Sequence, residues 1–365
     1  MDQSSKKSGE SQEKPQLCFV GHMVGRHAGH VTTQGQILCD LFRVAGYQVV
    51  CVSARLKRLE RLVDVVSTLL RRARNIEIQV IEVYGGASFI LEDVASWLGR
   101  LFGHRVVLWV HGGAMGEFMA RHPRWTRRVF NRADAIIVPS EFLARILDRH
   151  GFHVRVIPNV IDLPTYNYRH RQTVRPHLFW MRQFHPIWNP MMALRTLARL
   201  RLTTPQATLV MAGPDRGFES DVREMAKELG VSDAVRFSGF LDMQGKIREG
   251  EAADIYINTN RIDNMPVAVL EACAMGLPVV STNVGGLPDL LADGETALLV
   301  PDDNDEAMAA AISSLLGGVG LAARLSANGR QLAERSSWEQ VRPQWERIFG
   351  DLLGRSSSRG RNGRI

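Results

Sequence analysis

Apolar runs of four to seven residues alternate with longer amphipathic stretches along almost the whole of this 365-residue chain. Such alternation is typical of β-α-β units, in which buried parallel strands are connected by helices that cover the sheet. Both halves show the pattern, so it predicts two doubly wound, Rossmann-like α/β domains rather than one. We expect strands at residues 17–21, 48–53, 78–84, 106–110, 135–139 and 154–158, and at residues 177–182, 207–212, 235–238, 255–258, 278–281 and 297–300.

A polar stretch at residues 159–176 separates the two halves and has a proline at each end of its irregular part. We therefore predict domains at residues 17–163 and 177–336, a linker at 164–176, and a helix at 337–354 that packs back on the first domain. Residues 1–16 and the basic, low-complexity residues 355–365 are expected to be disordered. Two such domains face each other across a cleft, and ligands bind at the carboxyl ends of the strands.

Composition favours a cytoplasmic protein. Hydrophobic residues make up 45% of the chain and charged residues 23%, which suits a globular fold. We find no apolar segment of signal-peptide type and no membrane-spanning run of 18 uncharged apolar residues. The four cysteines stand far apart without a C-x-x-C pair, which is typical of a reducing compartment and predicts neither a zinc ribbon nor a dithiol redox motif.

The net charge of +7 comes entirely from the first half, where residues 1–165 hold 22 Lys and Arg against 15 Asp and Glu. Three basic clusters lie at residues 55–61, 71–74 and 121–132, and the third is interleaved with Trp125 and Phe130. Bases beside aromatic rings suit an anionic membrane surface, which offers both phosphates and hydrocarbon. Nucleic acid is the competing partner for the same charge, but no nucleic-acid-binding signature accompanies it, and we expect none to bind. A solvated face is the third alternative.

The first strand is followed by glycines at positions 21, 25 and 29, a spacing that does not match the dinucleotide fingerprint. A P-loop is absent as well. A glycine-rich turn before a helix still leaves backbone N–H groups open to an anion or a sugar hydroxyl. For Gly29 alone, a turn that needs a positive φ explains the glycine equally well.

Residues 257–281 carry the most informative pattern. Glu271 is the one charge between Met265 and Thr282, and a buried carboxylate is costly unless it is hydrogen-bonded. Two vicinal hydroxyls of a ribose could satisfy both of its oxygens, which is our hypothesis for this residue. Asp263 lies in the preceding loop. Pro266 is expected to be the first residue of the helix, and the helix N-terminus around Met265, Pro266 and Val267 supplies free N–H groups for a phosphate.

These residues resemble the retaining glycosyltransferases of family 4, which have the GT-B fold and a signature of an acid, seven other residues and a glutamate. The signature reads here from Asp263 to Glu271, in place of the usual E-x7-E. The segments AGHVTTQGQILCDLFRVAGYQVV, VPSEFLARIL, VIPNVID and VVSTNVGGLPDLLADGETALLVPDDNDEAMAAAI are also similar to family segments, and the resemblance extends over nearly the whole chain after residue 16.

The resemblance implies a role for each matching residue. Glu271 would bind the nucleotide ribose, and Asp263 would contact donor-sugar hydroxyls. Arg182 would hold the donor diphosphate, Gly29 would approach it from the other domain, and His111 would lie beside the reacting sugar. The chain departs from the family at the lysine that normally follows the arginine, because Ile187 and Trp188 stand there. The diphosphate charge would then rest on Arg182, Arg261 and the helix N-terminus.

The resemblance implies transfer of a sugar from a nucleoside diphosphate sugar, as co-substrate, to a hydroxyl acceptor such as a lipid-linked saccharide at the inner membrane face. No cofactor is expected. Asp303, Asn304 and Asp305 spell D-x-D, a metal motif in a different glycosyltransferase fold, but they precede a helix where capping explains them, so we expect no metal. Two alternatives stay open, a non-hydrolysing nucleotide-sugar epimerase and a non-catalytic nucleotide-sugar-binding protein.

Overall fold

The structure is a computed structural model that describes residues 14–25, 27 and 29–354. The expected disordered ends therefore lie outside the described residues, except for residues 14–16. That part of the expectation is wrong, because Gln16 pairs with the first sheet: its carbonyl accepts the N–H of Ile78 at 3.3 Å.

The first domain is a six-stranded parallel sheet of order β2-β1-β3-β4-β5-β6. The six strands expected here are all present, because most of them are mainly apolar runs that the flanking helices cover, although the edge strand at residues 155–156 contains the exposed Arg155. The strands are β1 Leu17–Val20, β2 Val49–Val52, β3 Ile78–Val83, β4 Arg105–Val110, β5 Ala135–Val138 and β6 Arg155–Val156. The helices are α1 Gln34–Val44, α2 Arg58–Arg72, α3 Phe89–Leu101, α4 Met115–Arg121, α5 Pro123–Phe130 and α6 Glu141–Arg149, with a 3-10 turn at Gly86–Ser88.

The second domain repeats the plan with a parallel sheet of order β12-β11-β10-β7-β8-β9. Its strands are β7 His177–Met181, β8 Thr208–Ala212, β9 Val235–Gly239, β10 Ile255–Asn258, β11 Val279–Thr282 and β12 Leu298–Val300. Its helices are α7 Pro190–Arg201, α8 Glu219–Glu228, α9 Met243–Ala252, α10 Val267–Ala274, α11 Leu287–Leu290, α12 Asp305–Gly317 and α13 Leu321–Glu334, with 3-10 turns at Leu163–Thr165 and Pro186–Trp188. The prediction of two Rossmann-like domains is confirmed.

The strand orders determine where ligands can bind. Each sheet reverses its winding direction at one place, between β1 and β3 in the first domain and between β7 and β10 in the second. Loops leave such a switch point in opposite directions, which opens a crevice at the carboxyl ends of the strands. The loops that matter are therefore those that follow β1, β3, β7 and β10.

The chain passes between the domains twice. The last helix, α14 Trp338–Leu352, packs on the first domain, where Trp345 contacts Trp109 with ring centroids 5.1 Å apart. The two passages meet at one point, since the N–H of Ile161 donates to the carbonyl of Ser336 at 2.9 Å and Ile161 forms a bridge with Ser337.

Arginines hold the linker against the second domain. Arg169 and Arg175 pair with the buried carboxylate of Asp254 at 2.7 and 2.6 Å. Arg171 is buried and donates to the carbonyl oxygens of Gly250 and Ala253 at 2.7 and 3.0 Å. The linker up to residue 175 is therefore part of the surface of the second domain, and the connection between the domains is shorter than residues 164–176.

Cys39 of α1 and Cys51 of β2 form a disulfide with Cα atoms 6.5 Å apart, whereas Cys18 and Cys273 are free and buried. Spacing alone did not predict this pair, because only the packing of α1 against β2 brings the two residues together. The disulfide speaks against the reducing compartment that we inferred from the cysteines. Among the described helices, no single one is long and apolar enough to cross a membrane. Only α12 and α13 taken together have the necessary length and composition, and they are bent by 105° relative to each other.

Candidate active site

The site lies at the switch point of the second domain. Arg182 directly follows β7, and Asp263 lies in the loop after the neighbouring strand β10. The two side chains form an ion pair, and Asp263 also accepts a 2.7 Å hydrogen bond from the amide of Asn260. The structure thus brings together Arg182, which was predicted to bind the diphosphate, and Asp263, which was predicted to bind the donor sugar.

Arg182 is almost enclosed. Its guanidinium lies over the ring of Trp188, 4.4 Å from the centroid. Trp188 is one of the residues that replace the family lysine, so an aromatic face that positions the arginine occupies the place of a second cation. Burial lowers the pKa of Arg182, while the charges of Tyr256 and Glu271 act in the opposite direction.

Glu271 lies on α10 and is only 4% exposed. Its Oε1 accepts hydrogen bonds from the Tyr166 hydroxyl at 2.8 Å and from Nζ of Lys246 at 2.7 Å. Our hypothesis that ribose hydroxyls satisfy both oxygens of this carboxylate does not hold for Oε1, because a linker tyrosine and a lysine of α9 already bond that atom. A carboxylate oxygen has two lone pairs, so Oε1 is occupied and Oε2 is the atom that remains for a ribose hydroxyl.

The helix that carries Glu271 begins one residue later than expected. α10 starts at Val267, and Pro266 is its N-cap, with φ −69° and ψ 114° and no side-chain cap. The carbonyl of Met265 accepts a 3.0 Å hydrogen bond from the amide of Asn159 in the first domain. The helix N-terminus therefore lies at the boundary between the domains, where its N–H groups favour an anion.

Arg261 is not brought to this cluster. Its guanidinium pairs with Asp303 at 3.2 Å and with Asp302 at 3.7 Å. Asp303 and Asp305 are both paired with Arg195, at 2.5 and 2.9 Å, and Asn304 caps α12. The D-x-D sequence thus makes ion pairs and a helix cap. Among the described residues, no group of three or more His, Cys, Asp or Glu is arranged to hold a metal ion.

The first domain contributes His111, which directly follows β4. The carbonyl of His111 accepts a 3.3 Å hydrogen bond from the amide of Asn264, the residue after Asp263. The hydroxyl of Ser140 also contacts Asn264. The backbone of His111 therefore contacts the loop that carries Asp263 across the domain boundary.

Gly29 is exposed, with φ +76°, and a Cβ atom there would meet nothing within 4 Å. The backbone conformation accounts for the glycine without a ligand. The structure leaves Gly29 in the loop between β1 and α1 and shows no contact from it to the second domain.

A cavity of about 500 Å³ opens in the first domain beside His111. Tyr84 lines it and stacks on the His111 ring, with centroids 5.3 Å apart and planes 20° apart. Its other walls include Ile90, Phe118 and Trp125, and Arg121 and Glu117 line it as an ion pair at 2.8 Å. An apolar, aromatic wall with a few polar groups is typical of a binding site for a small organic ligand.

Three residues of the site escaped the sequence analysis. Tyr166 and Lys246 lie 105 and 25 residues from Glu271 in the chain, and no local pattern connects them. Glu82, near the carboxyl end of β3, could have been found, since it is the one acid in the apolar run IQVIEV. Like Glu271, it is a carboxylate whose burial is costly unless it is hydrogen-bonded.

Comparison with known proteins agrees with this geometry in both domains. Residues 174–332 match the family described as glycosyl transferases group 1, and residues 27–164 match the one described as glycosyltransferase family 4. The two matches together cover both domains and the whole candidate site. The chain belongs to glycosyltransferase family 4.

Relatives of this family 4 protein include two kinds of enzyme. It is 32% identical over 163 residues to D-inositol 3-phosphate glycosyltransferase of Corynebacterium urealyticum, a match that covers 44% of this chain and only 38% of that relative. It is 26% identical over 298 residues to GDP-mannose-dependent alpha-(1-6)-phosphatidylinositol monomannoside mannosyltransferase of Mycolicibacterium smegmatis, which covers 76% of this chain and 77% of the relative.

Solved structures show the same fold. Sucrose-phosphate synthase from Thermosynechococcus elongatus superposes with a TM-score of 0.76 at 18% identity, covering 94% of this family 4 chain and 100% of the other. HepE of Anabaena in complex with UDP and glucose has a TM-score of 0.74 at 15% identity, covering 92% and 100%. These TM-scores, over more than nine-tenths of the chain, establish the GT-B architecture for both domains.

Proposed function

We propose that this protein is a retaining glycosyltransferase that moves a sugar from a nucleoside diphosphate sugar to a hydroxyl acceptor. One observation carries the proposal: the amide of Asn264 bonds the carbonyl of His111, while the adjacent Asp263 is paired with Arg182. Groups suited to a sugar and to a diphosphate thus converge from both domains on the boundary between them. Glu271, buried behind them on α10, presents Oε2 to the ribose.

Catalysis would rest on charge and orientation. Arg182 and the N-terminus of α10 would stabilise the negative charge that develops on the departing diphosphate. Before a donor is bound, the arginine is neutralised by Asp263, and donor hydroxyls would compete for that carboxylate. By family resemblance, the leaving phosphate takes the acceptor proton, so no separate protein base is required at the reacting hydroxyl.

The acceptor would occupy the cavity beside Tyr84. Its aromatic wall can cover the apolar face of a sugar or cyclitol ring, and a phosphate would compete with Glu117 for Arg121. The named relatives act on inositol phosphate and on a phosphatidylinositol mannoside, which supports a phosphorylated or lipid-linked acceptor. Ile90 lines this cavity and is also more than half exposed, so the cavity is continuous with an apolar outer surface.

That outer surface supports peripheral binding to an anionic membrane. On α2, Leu59, Val63 and Leu70 fall within about 40° of one another around the helix axis, and each is more than half exposed. On α3, which packs beside α2, Ile90, Trp97 and Leu101 form an equivalent exposed stripe. Two parallel apolar stripes on one face are suited to contact with acyl chains.

The basic clusters contribute unequally to this surface. The clusters at residues 55–61 and 71–74 flank α2, and all their cations except the buried Arg61 are exposed. In the third cluster, Arg128 and Arg132 pair with Asp93, and Trp125 packs against Phe89. We therefore assign membrane contact to α2 and α3 rather than to the aromatic residues of α5.

Donor binding tests the proposal first. We expect one of UDP, GDP, ADP or their sugars to raise the unfolding midpoint of the purified protein, because only ligands that favour the native state do so. The Glu271→Gln variant should bind that nucleotide at least about tenfold more weakly, the equivalent of one charge-assisted hydrogen bond. The exposed Glu228→Gln serves as the matched control. Unchanged nucleotide affinity in Glu271→Gln would refute the assignment.

A transfer assay separates the alternatives. With the bound donor and a phosphatidylinositol mannoside or inositol phosphate as acceptor, we expect a glycosylated product with retained anomeric configuration. Conversion of the donor sugar without any acceptor would instead identify an epimerase. Donor binding with no turnover on any acceptor of these classes would favour the non-catalytic alternative.

Vesicle binding tests the membrane surface. At low salt we expect binding to anionic vesicles and little binding to neutral ones, because about 1 kcal/mol per basic residue is gained near an anionic surface. Leu59→Gln combined with Val63→Gln should weaken this binding, whereas Leu202→Gln, an exposed leucine of the second domain, should not. Equal binding to both kinds of vesicle would contradict the proposal.

A further inference from the structure

The inference concerns Glu82, a carboxylate at the switch point of the first domain. Its side chain is completely buried at the end of β3. Gly21 and Gly35 make room for it, since a Cβ atom at Gly21 would lie 2.0 Å from Oε2 and one at Gly35 would lie 2.6 Å from the carboxyl carbon. A buried side chain at Glu82 therefore requires glycine at both places, at Gly21 in the loop after β1 and at Gly35 in α1.

The carboxylate of Glu82 lies at the start of α1, where the glycine-rich turn after β1 could otherwise bind an anion. The N–H of Gly35, in the first turn of α1, donates to Oε1 at 2.8 Å, and the Tyr84 hydroxyl donates to the same atom at 3.3 Å. Oε2 has no hydrogen-bond partner among the described residues. A completely buried carboxyl with an unused oxygen is costly, so a residue in this state calls for a functional explanation.

His111 has an unused ring nitrogen close to this carboxylate. Its Nε2 lies 4.0 Å from Oε1 of Glu82, is buried, and has no other partner in the described part of the chain. The ring is held between Tyr84 and Trp109, with centroid distances of 5.3 and 4.2 Å. Burial lowers the pKa of His111 to about 3, so the imidazole is neutral at physiological pH and carries its proton on one nitrogen only.

We propose that Glu82 is a positioning residue that accepts the Nε2 proton of His111 and so fixes the tautomer of this histidine. The 4.0 Å between Nε2 and Oε1 has to shorten by about 1 Å for this hydrogen bond to form, and the bond would replace the long 3.3 Å contact of the Tyr84 hydroxyl with Oε1. With the proton on Nε2, Nδ1 is the ring nitrogen able to accept a hydrogen bond from a hydroxyl. This inference rests on the proposed function only in that the hydroxyl belongs to the donor sugar or the acceptor.

Other ionisable groups surround the pair. Tyr84, directly after β3, and Glu92 on α3 approach Glu82, and the backbone of His22 lies nearby in the loop after β1. Arg58 and Arg61 on α2 act on His22, which with burial lowers the pKa of that histidine to about 4. Burial raises the pKa of Glu82 to about 7, so acidification below neutrality would protonate the acceptor oxygen.

The test is the tautomer of His111, read from the ¹⁵N chemical shifts of the protein labelled at histidine and assigned with His111→Gln. In the wild-type protein at pH 8 we expect Nε2 protonated and Nδ1 bare. In Glu82→Gln, the side-chain amide can donate to Nε2, and we expect the proton to move to Nδ1. Glu92→Gln, a second buried carboxyl without a histidine contact, should leave the His111 shifts unchanged.

Activity gives a second readout. We expect kcat of Glu82→Gln to fall about tenfold and to lose the wild-type increase through pH 7, while nucleotide affinity at the Glu271 site changes less than twofold. A wild-type His111 with its proton on Nδ1, or shifts that do not respond to Glu82→Gln, would overturn the inference. If Glu82→Gln fails to fold, the wild-type tautomer at pH 8 decides alone. Failure of the proposed function would appear separately, as absent donor binding with the tautomer as expected.

Discussion

The hydroxyl of Tyr166 donates a 2.8 Å hydrogen bond to Oε1 of Glu271, and so joins the interdomain linker to the carboxylate assigned to the ribose. Tyr166 is buried and follows the 3-10 turn Leu163–Thr165. Nucleotide binding at Glu271 is therefore in direct contact with the segment through which the domains are connected.

We predict that Tyr166→Phe lowers the free energy of unfolding by about 1.5 kcal/mol, because a buried carboxylate loses one of its two donors. It should also weaken nucleotide binding several-fold, since the carboxylate is less firmly oriented. Chemical denaturation and calorimetric titration measure the two effects. Tyr168→Phe is the control, because that hydroxyl contacts His170 on the exposed side of the linker. Equal effects of both variants would contradict the prediction.

The two arginines near the site should differ sharply. Arg182→Ala removes the guanidinium that faces the diphosphate, and we expect kcat to fall by about 10² to 10³, the usual effect of losing one preorganised donor. Arg261→Ala breaks only the pairs with Asp302 and Asp303, so kcat should change less than about threefold. Steady-state kinetics with saturating donor provides the comparison. A comparable loss in both variants would place Arg261 on the diphosphate after all.

Glu92 predicts an unusual pH dependence of stability. Burial raises its pKa from 4.5 to about 8, so the folded state keeps a proton that the unfolded state releases. This contribution is complete below pH 4.5 and is lost as the pH rises through 8. Burial raises the pKa of Glu82 to about 7, so its contribution to stability also falls as the pH rises, but at lower pH. The change in stability between pH 7 and 8 therefore reports mainly on Glu92.

In that interval Glu92→Gln should gain stability relative to the wild-type protein, by up to about 1.4 kcal/mol per pH unit for the one proton involved. Thermal unfolding at closely spaced pH values provides the measurement. The exposed Glu339→Gln should give a curve parallel to that of the wild-type protein. Parallel curves for Glu92→Gln as well would show that its carboxyl is not protonated in the folded state.

We also predict that transfer continues in EDTA. Asp303 and Asp305 are held by Arg195, and removing a divalent ion would not free any group of the proposed mechanism. The measurement compares initial rates in EDTA, in magnesium and in manganese. Complete loss in EDTA that manganese restores would reject this prediction.

The sequence was sufficient for the architecture, because buried parallel strands need nearly continuous apolar runs and all twelve runs were visible. It was also sufficient to single out Glu271, since one charge in an apolar helix is conspicuous. It could not show what satisfies that charge: Tyr166 and Lys246 come from other elements, and their approach depends on how the linker and α9 pack.

Side-chain direction in loops was the second limit. Arg261 and Asp263 are two residues apart, and only the folded loop shows that one faces Asp303 and the other Arg182. The pairing of Cys39 with Cys51 was hidden for the same reason, since it depends on how α1 packs against β2. Glu82 is a different case, because a single acid within the apolar strand IQVIEV is visible in the sequence itself.

The contact between Ile161 and Ser337 has a mechanical consequence for the whole molecule. Both covalent connections between the domains pass through this one point, so a translation of either domain would have to stretch both, whereas a rotation about the point stretches neither. Relative motion is thereby restricted to swinging, with a displacement that grows in proportion to the distance from the pivot. The outer rim of the interdomain gap travels farthest, while atoms next to the pivot hardly move.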